Sequence, residues 1–189
     1  MGKLFICLVH YPVYNKNMEV ISTSITNMDI HDIARTSATY GIEKYYLVHP
    51  QQVQHDIIKE ILDYWHVGYG GTYNPDRKAA LENVKLTKSI PQVINEIRES
   101  CAGQVKTIVT DARKYPNSME YSSIRKLINT NDETNYLLLF GTGWGLAKEV
   151  MGQADYRLLP ILGKGEYNHL SVRSAVAIIL DRLCGEQWW

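Results

Sequence analysis

The chain has 189 residues, 45% of them hydrophobic and 21% charged, with 20 basic residues against 20 acidic and no net charge. That length suits one domain with a substantial core, and the neutral balance counts against indiscriminate binding of polyanions, which depends on a basic surplus. Cys7, Cys101 and Cys184 lack C-x-x-C or Cys/His spacing, and no apolar run approaches the roughly 18 residues of a membrane span, so neither a disulfide framework, a zinc site nor a membrane protein is signalled, and a cytoplasmic location is expected.

Residues 3–10 (KLFICLVH) form a continuous apolar run of strand length, the pattern of a buried parallel strand, ended by Pro12 and the Asn15/Asn17 stretch. Ile30, Ile33, Ala34, Ser37 and Ala38 recur at helical spacing, with Asn27 or Asp29 able to cap the helix and Gly41 to stop it. Residues 44–50 (KYYLVHP) read as a second strand. Residues 51–66 read as a helix with Val53, Ile57, Ile58, Ile61, Leu62 and Trp65 on one face. The stretch 66–78 (HVGYGGTYNPDRK) has no hydrophobic period and reads as a loop. Residues 82–87 suggest a short strand, 91–101 a helix, 106–113 a strand running into a polar loop, and 118–128 a further helix. From Tyr136 to Leu183 the chain passes through an apolar strand, a glycine loop, a short helix, a second strand, a glycine-bearing loop and a long amphipathic helix. Strands alternate with helices without a hairpin signal, so the expected class is α/β, a largely parallel sheet flanked by helices on both faces.

Function is expected in the 136–183 segment. Ligands of parallel sheets collect beyond the carboxyl ends of the strands, where glycines let backbone groups approach closely. Gly141, Thr142, Gly143 and Gly145 form a G-x-G-x-G run late in the chain, a poor match to the G-x-G-x-x-G dinucleotide fingerprint. Alone, this loop is equally a tight strand-to-helix turn; the paired loop at 160–168 favours a ligand. Asn168 is placed to cap the last helix, and Arg173 one turn inside can bind phosphate or cross a subunit interface.

Three blocks occur in order: D29-I-H-D-I-A-R35-T-x-x-x-Y-G41, L-L-L-F-G141-T-G-W-G-L146, and L159-P-I-L-G-K-G-E-Y-N-H-L-S-V-R-S-A175. Together they resemble the SPOUT, or α/β-knot, class of S-adenosylmethionine-dependent RNA methyltransferases, in a little-characterised bacterial branch. The first block is similar to the opening motif of the ribose-methylating enzymes. The chain departs from that pattern at three points. Asp29 stands where asparagine is general, GTGWGL lacks the usual acidic residue, and Ser171 stands where asparagine is common. The resemblance implies one domain over residues 1–189 with a C-terminal deep trefoil knot, its passage eased by Gly163 and Gly165. It also implies a homodimer whose active site draws on both chains. The last helix is apolar at Val172, Ala175, Val176, Ile179, Leu180 and Leu183, and at Ala177 and Ile178 as well, more surface than one contact face needs.

The cofactor implied is S-adenosylmethionine. By the same resemblance it is held mainly through backbone groups of the loops carrying Thr110, Asp111, Gly141, Thr142, Gly143, Asn168, His169 and Ser171, with Trp144, Leu159, Ile161 and Leu170 as apolar walls. Arg35 leads the catalytic candidates, which also include Asp29, His31 and Asp32. Methyl transfer needs a nucleophile placed in line and made electron-rich. A guanidinium, almost always protonated, suits stabilising a developing oxyanion or clamping a phosphate, while a direct proton-acceptor role stays open. His31, Asp32 and His169 are further possible proton acceptors. The plain alternatives are a solvated helix residue for Arg35 and ordinary hydrogen-bonded histidines for His31 and His169.

Tyr69, Tyr73, Arg77 and Lys78 suit stacking on bases and pairing with phosphate, and equally a surface loop packed by its own tyrosines. Arg113, Lys114, Arg125 and Lys126 read as a solvated face. Trp188 and Trp189 can pack in a dimer and carry no chemical reading. The expected partner is structured RNA, tRNA or rRNA, methylated at a ribose 2′-hydroxyl in preference to a base nitrogen. A catalytically inactive, knotted RNA-binding or assembly factor is the alternative.

Overall fold

In the computed structural model, which describes residues 2–130, 132–165 and 167–186, the apolar runs pair as a parallel sheet and the amphipathic stretches cover it; Trp188 and Trp189 lie outside the described residues. The elements are β1 (Leu4–Val9), β2 (Val13–Tyr14), β3 (Val20–Ile21), α1 (Asn27–Thr39), β4 (Lys44–Val48), α2 (Gln52–His66), α3 (Tyr69–Tyr73), α4 (Pro75–Leu81), β5 (Val84–Thr87), α5 (Ile90–Ser100), β6 (Val105–Val109), β7 (Ser118–Met119), α6 (Tyr121–Ile128), β8 (Asn135–Gly141), α7 (Lys148–Gln153), β9 (Tyr156–Leu158) and α8 (Val172–Cys184). The main sheet has seven strands in the order β5-β4-β1-β8-β6-β9-β7, and every pairing in it is parallel. The fold is therefore α/β, as expected.

The central strands are buried on both faces because their side chains alternate between two cores. Leu4, Ile6 and Leu8 of β1, with Tyr136, Leu138 and Phe140 of β8, face a core built with α1, α6 and α8. Phe5, Cys7 and Val9, with Leu137 and Leu139, face the opposite core under Val93 and Ile97 of α5 and Met151 of α7. This is why those strands read as unbroken apolar runs.

The order of the strands positions the site. From β1 the chain builds outward through β4 to β5, then returns to lay β8 and β6 on the other side of β1. The crevice at such a reversal lies beyond the carboxyl ends of the strands, here after Val9, Val109 and Gly141.

Four local expectations need correction. A short antiparallel hairpin, β2 with β3, follows β1; two-residue strands lie below any periodicity. The stretch 66–78 is not a loop but carries α3 and the start of α4. Its signal was Asn74-Pro75: the Asn74 side chain accepts from Arg77 N at 2.9 Å while Pro75 supplies the first helical φ. Helix α6 begins at Tyr121 because Ser118 and Met119 are drawn into edge strand β7, paired with β9. Thr26, rather than Asn27 or Asp29, caps α1, accepting from Asp29 N and donating through its hydroxyl to Asp29 Oδ2 at 2.6 Å.

Asn135, buried at the start of β8, accepts from Lys3 N at 3.1 Å and donates to Ala102 O at 2.7 Å, joining three separate segments. Asn135→Ala leaves both partners unsatisfied, so it should lower the free energy of unfolding in urea by about 2–4 kcal/mol.

Candidate functional site

The glycine loop after β8 folds back onto the hairpin. Trp144 N donates to Tyr14 O at 2.8 Å, Tyr14 N donates to Gly145 O at 2.9 Å, and Val13 bridges Leu146. Gly143 has φ +59°, and a Cβ there would stand 2.8 Å from Tyr14 O; Gly145 has φ +100°. The loop needs glycine because its backbone is left-handed and touches other backbone.

A chain of hydrogen bonds runs from this loop to the end of β1. Thr142 Oγ1 donates to Val9 O at 3.1 Å, and it is also within hydrogen-bond reach of Thr23 Oγ1, which pairs with His10 Nδ1 at 3.0 Å. Since the Thr142 proton goes to Val9, Thr23 must donate to Thr142, and His10 Nδ1–H must then donate to Thr23. That polarity fixes the tautomer and leaves His10 Nε2 as an acceptor, buried and unpartnered among the described residues. Burial pushes the imidazole down to about 4, so it is neutral near pH 7.

The second wall follows β6. Thr110 is held to Leu139 O by its backbone N–H and its hydroxyl. The Asp111 carboxylate, 6% exposed, accepts from Arg113 N, Nε and Nη2 and from Tyr115 OH. These four donors occupy its acceptor sites, so Asp111 offers a ligand backbone groups. The third wall is the loop from β9 to α8. Asn168 does not cap α8; its Nδ2 donates to Ala112 O at 2.8 Å and ties the second and third walls together. The cap is Ser171, three residues nearer the helix, accepting from Ser174 N.

These walls enclose one cavity of about 610 Å³. Every cofactor candidate lines it: Thr110, Asp111, Gly141, Thr142, Gly143, Trp144, Leu159, Ile161, Asn168, His169, Leu170 and Ser171. Sequence reading missed a further wall formed by His10, Thr23 and Thr26, which no local pattern connects, and Arg173, singled out for phosphate or a subunit interface, lines the same cavity. The volume lies within the range of small-molecule sites. Apolar walls, a glycine loop and a buried unpartnered acceptor fit a cofactor that is part nucleoside and part amino acid, with amino donors.

The catalytic candidates divide. Asp29 lines the cavity, accepting from Thr26 Oγ1 and from Arg173 Nη1 at 2.9 Å. Asp32, one turn on, lies 3.4 Å from Arg173 Nε and is exposed. His31 and Arg35 are turned away from Asp29 on α1. His31 packs edge-on to Trp65 at 5.2 Å, its pKa lowered first by burial and then by Arg77. Arg35 is exposed and outside the cavity of its own chain.

Residues 3–185 match a family profile described as SAM-dependent RNA methyltransferase. A protein of Aquifex aeolicus (strain VF5), itself uncharacterized, is 44% identical over 180 residues, covering 95% of this chain and 87% of that one. A tRNA (guanine-N(1)-)-methyltransferase of Oleidesulfovibrio alaskensis is 40% identical over 183 residues, covering 97% of this chain; the chain spans only 42% of that protein's length. Among solved structures, the TrmH/SpoU tRNA modifying enzyme of A. aeolicus superposes with a TM-score of 0.57 at 15% identity, covering 97% of this chain and 74% of that one, a likeness of fold.

The neutral His10 predicts an acid-labile core. Its folded pKa of about 4 lies below the ordinary 6.5, so its contribution to stability is full above 6.5 and is lost as pH falls toward 4. At about 1.4 kcal/mol per pH unit the loss is roughly 3 kcal/mol. Urea unfolding from about pH 7 to about pH 4 should show wild type losing that much more stability than His10→Gln, whose side chain does not titrate.

Proposed function

The chain belongs to the family of S-adenosylmethionine-dependent RNA methyltransferases, and on that premise we propose that it methylates structured RNA of the tRNA or rRNA type, at a ribose 2′-hydroxyl in preference to a base nitrogen. The observation that carries the proposal is the convergence of the loops after β6, β8 and β9 on one 610 Å³ cavity lined by the same residues that form the second and third motif blocks. The ribose preference rests on the likeness of the Asp29 to Arg35 block to the ribose-methylating enzymes. The guanine-N(1) in the name of the O. alaskensis relative belongs to a protein of which this chain spans 42%, so it bears equally on the remainder of that protein.

S-adenosylmethionine, when bound, supplies a methyl group made electrophilic by its sulfonium. The backbone of 141–145, Thr110 and His10 Nε2 hold its polar groups, and Trp144, Leu159, Ile161 and Leu170 keep water from its apolar surface. His169, exposed and lining the cavity, accepts the proton of the nucleophile. Asp29 orients Arg173 at the cavity wall, with Asp32 supporting it from outside. Arg35 faces away from the cavity of its own chain, so in this reading it serves the partner's site in a homodimer, where it stabilises the developing oxyanion or clamps the adjoining phosphate.

The dimer is supported by the incompletely buried Ala177 and Ile178 of α8, apolar surface left over once Val176, Ile179, Leu180 and Leu183 are buried. The proposed knot is supported by the insertion of β9 between β6 and β7, strands that precede it in the chain. A cytoplasmic location follows from the RNA substrate; no helix of the described residues is long and apolar enough to cross a membrane.

Calorimetry with S-adenosylmethionine and transfer of labelled methyl to bulk RNA test this reading. Arg35→Ala should lower methyl transfer on the order of 10²-fold or more while cofactor affinity stays within about twofold. Loss of both together would assign Arg35 a structural role. A wild-type protein that binds RNA without measurable affinity for S-adenosylmethionine would be a non-catalytic RNA-binding factor instead.

A further inference from the structure

Away from the cofactor cavity, α1, α2 and α4 enclose a second cleft of about 490 Å³, whose walls include His31, Glu60, Ile61, Tyr64, Trp65 and Arg77. Helix α2 contributes two rows at i, i+4 spacing, Ile57-Ile61-Trp65 and Glu60-Tyr64. The Arg77 guanidinium lies over the Trp65 ring at 5.1 Å, and the His31 and Tyr64 rings meet Trp65 edge-on at 5.2 and 5.4 Å.

The arrangement is held rigidly from below. Gly70 and Gly71 of α3 are buried against α2 so closely that a Cβ would stand 2.6 Å from Tyr64 Cε1 at one position and 2.2 Å from Trp65 O at the other. The two aromatic rings are thus fixed before any ligand arrives, which lowers the ordering cost of binding.

Two polar atoms of the cleft, Arg77 Nε and His31 Nδ1, are buried without a hydrogen-bond partner among the described residues. Folded proteins leave few such atoms, and two in one cleft point to a ligand. Arg77 and Glu60 form no ion pair among the described residues. Covering two uncompensated charges with an apolar helix from another chain would be costly. Flat π surfaces, a planar cation, the Glu60 carboxylate and the Asn27 amide together suit a flat heterocycle with donors and acceptors on its edge. Beyond the cleft, Tyr69 and Tyr73 are exposed and stacked on each other at 6.1 Å. Arg35 lies one turn beyond His31 on α1.

We propose that this cleft binds an unpaired nucleobase of the RNA, holding one nucleotide away from the methyl-transfer cavity, with the exposed tyrosines continuing the stacking surface. The inference rests on the RNA methyltransferase reading for the identity of its ligand. It gives the aromatic 64–77 segment a role in choosing RNA by its unpaired regions, a discrimination that phosphate attraction, common to paired and unpaired RNA, does not supply.

The test is fluorescence anisotropy with two labelled probes, bulk deacylated tRNA and a fully paired RNA duplex of similar length, on wild type, Tyr64→Ala and Arg77→Gln. Tyr64 is half exposed, so its truncation leaves the fold intact. Each variant should bind tRNA roughly 5- to 150-fold more weakly, the range of one lost stacking contact, with duplex affinity and S-adenosylmethionine affinity within about twofold of wild type. Undiminished tRNA affinity in both variants overturns the proposal. So does an equal loss for tRNA and duplex, which marks phosphate contact only, or a shift from dimer to monomer in sedimentation, which marks a subunit contact. The two readings fail separately. A wild-type protein that binds neither tRNA nor S-adenosylmethionine removes the methyltransferase reading, whereas one that binds both and is unaffected by the variants removes only the cleft.

Discussion

The parallel pairing of β1 with β8 is the contact on which the rest depends. Its register runs from Leu4 with Tyr136 to Val9 with Gly141, joining residues more than 130 positions apart in the chain. It brings the glycine loop level with the end of β1, where Thr142 reaches Val9 O and, through Thr23, His10. The loop is then too close to the hairpin for side chains, so Gly143 meets Tyr14 O directly. A one-residue slip would exchange the two cores, because Leu138 and Leu139 point to opposite faces. Burial on both sides makes that slip prohibitive, and the rigid register makes a precise cavity possible.

A second constraint is the contact between α1 and α8. Arg173 on the first turn of α8 is paired with Asp29 and Asp32 on one face of α1. The pair with Asp29 is largely buried, and removing either partner would strand a charge there. This locks the orientation of α1 about its axis and sends its faces to different places. Asp29 closes the cavity, while His31 is turned to the second cleft and Arg35 to solvent. The residues on this helix that looked like one catalytic group in sequence are therefore divided by geometry, with Asp29 at the cavity and Arg35 outside it.

How far the site was legible depended on whether its signals were local. The carboxyl-end loops were readable because each follows an apolar strand and carries glycine, proline or a capping residue, and the residues singled out on them line one cavity. The α3–α4 stretch was misread because its helices are held by close glycine packing and an Asn74-Pro75 cap, neither of which has a hydrophobic period. Asn168 looked like a helix cap by composition, yet it spans two loops, and Ser171 caps instead because the preceding segment is pulled toward Ala112.

The sequence by itself determined the class of fold and the carboxyl-end loops, since alternation of apolar runs and glycine placement act over a few residues, while the cofactor followed from the resemblance of three motif blocks to a family. Only the tertiary structure decided that His10, Thr23 and Thr142 form one directed hydrogen-bond chain, that Asp29 belongs to Arg173, and that His31 joins Trp65 and Arg77 in a separate cleft. Those are meetings of side chains far apart in sequence. Their partners are chosen by strand register and helix rotation, which depend on the packing of the whole core and leave no trace in any local pattern.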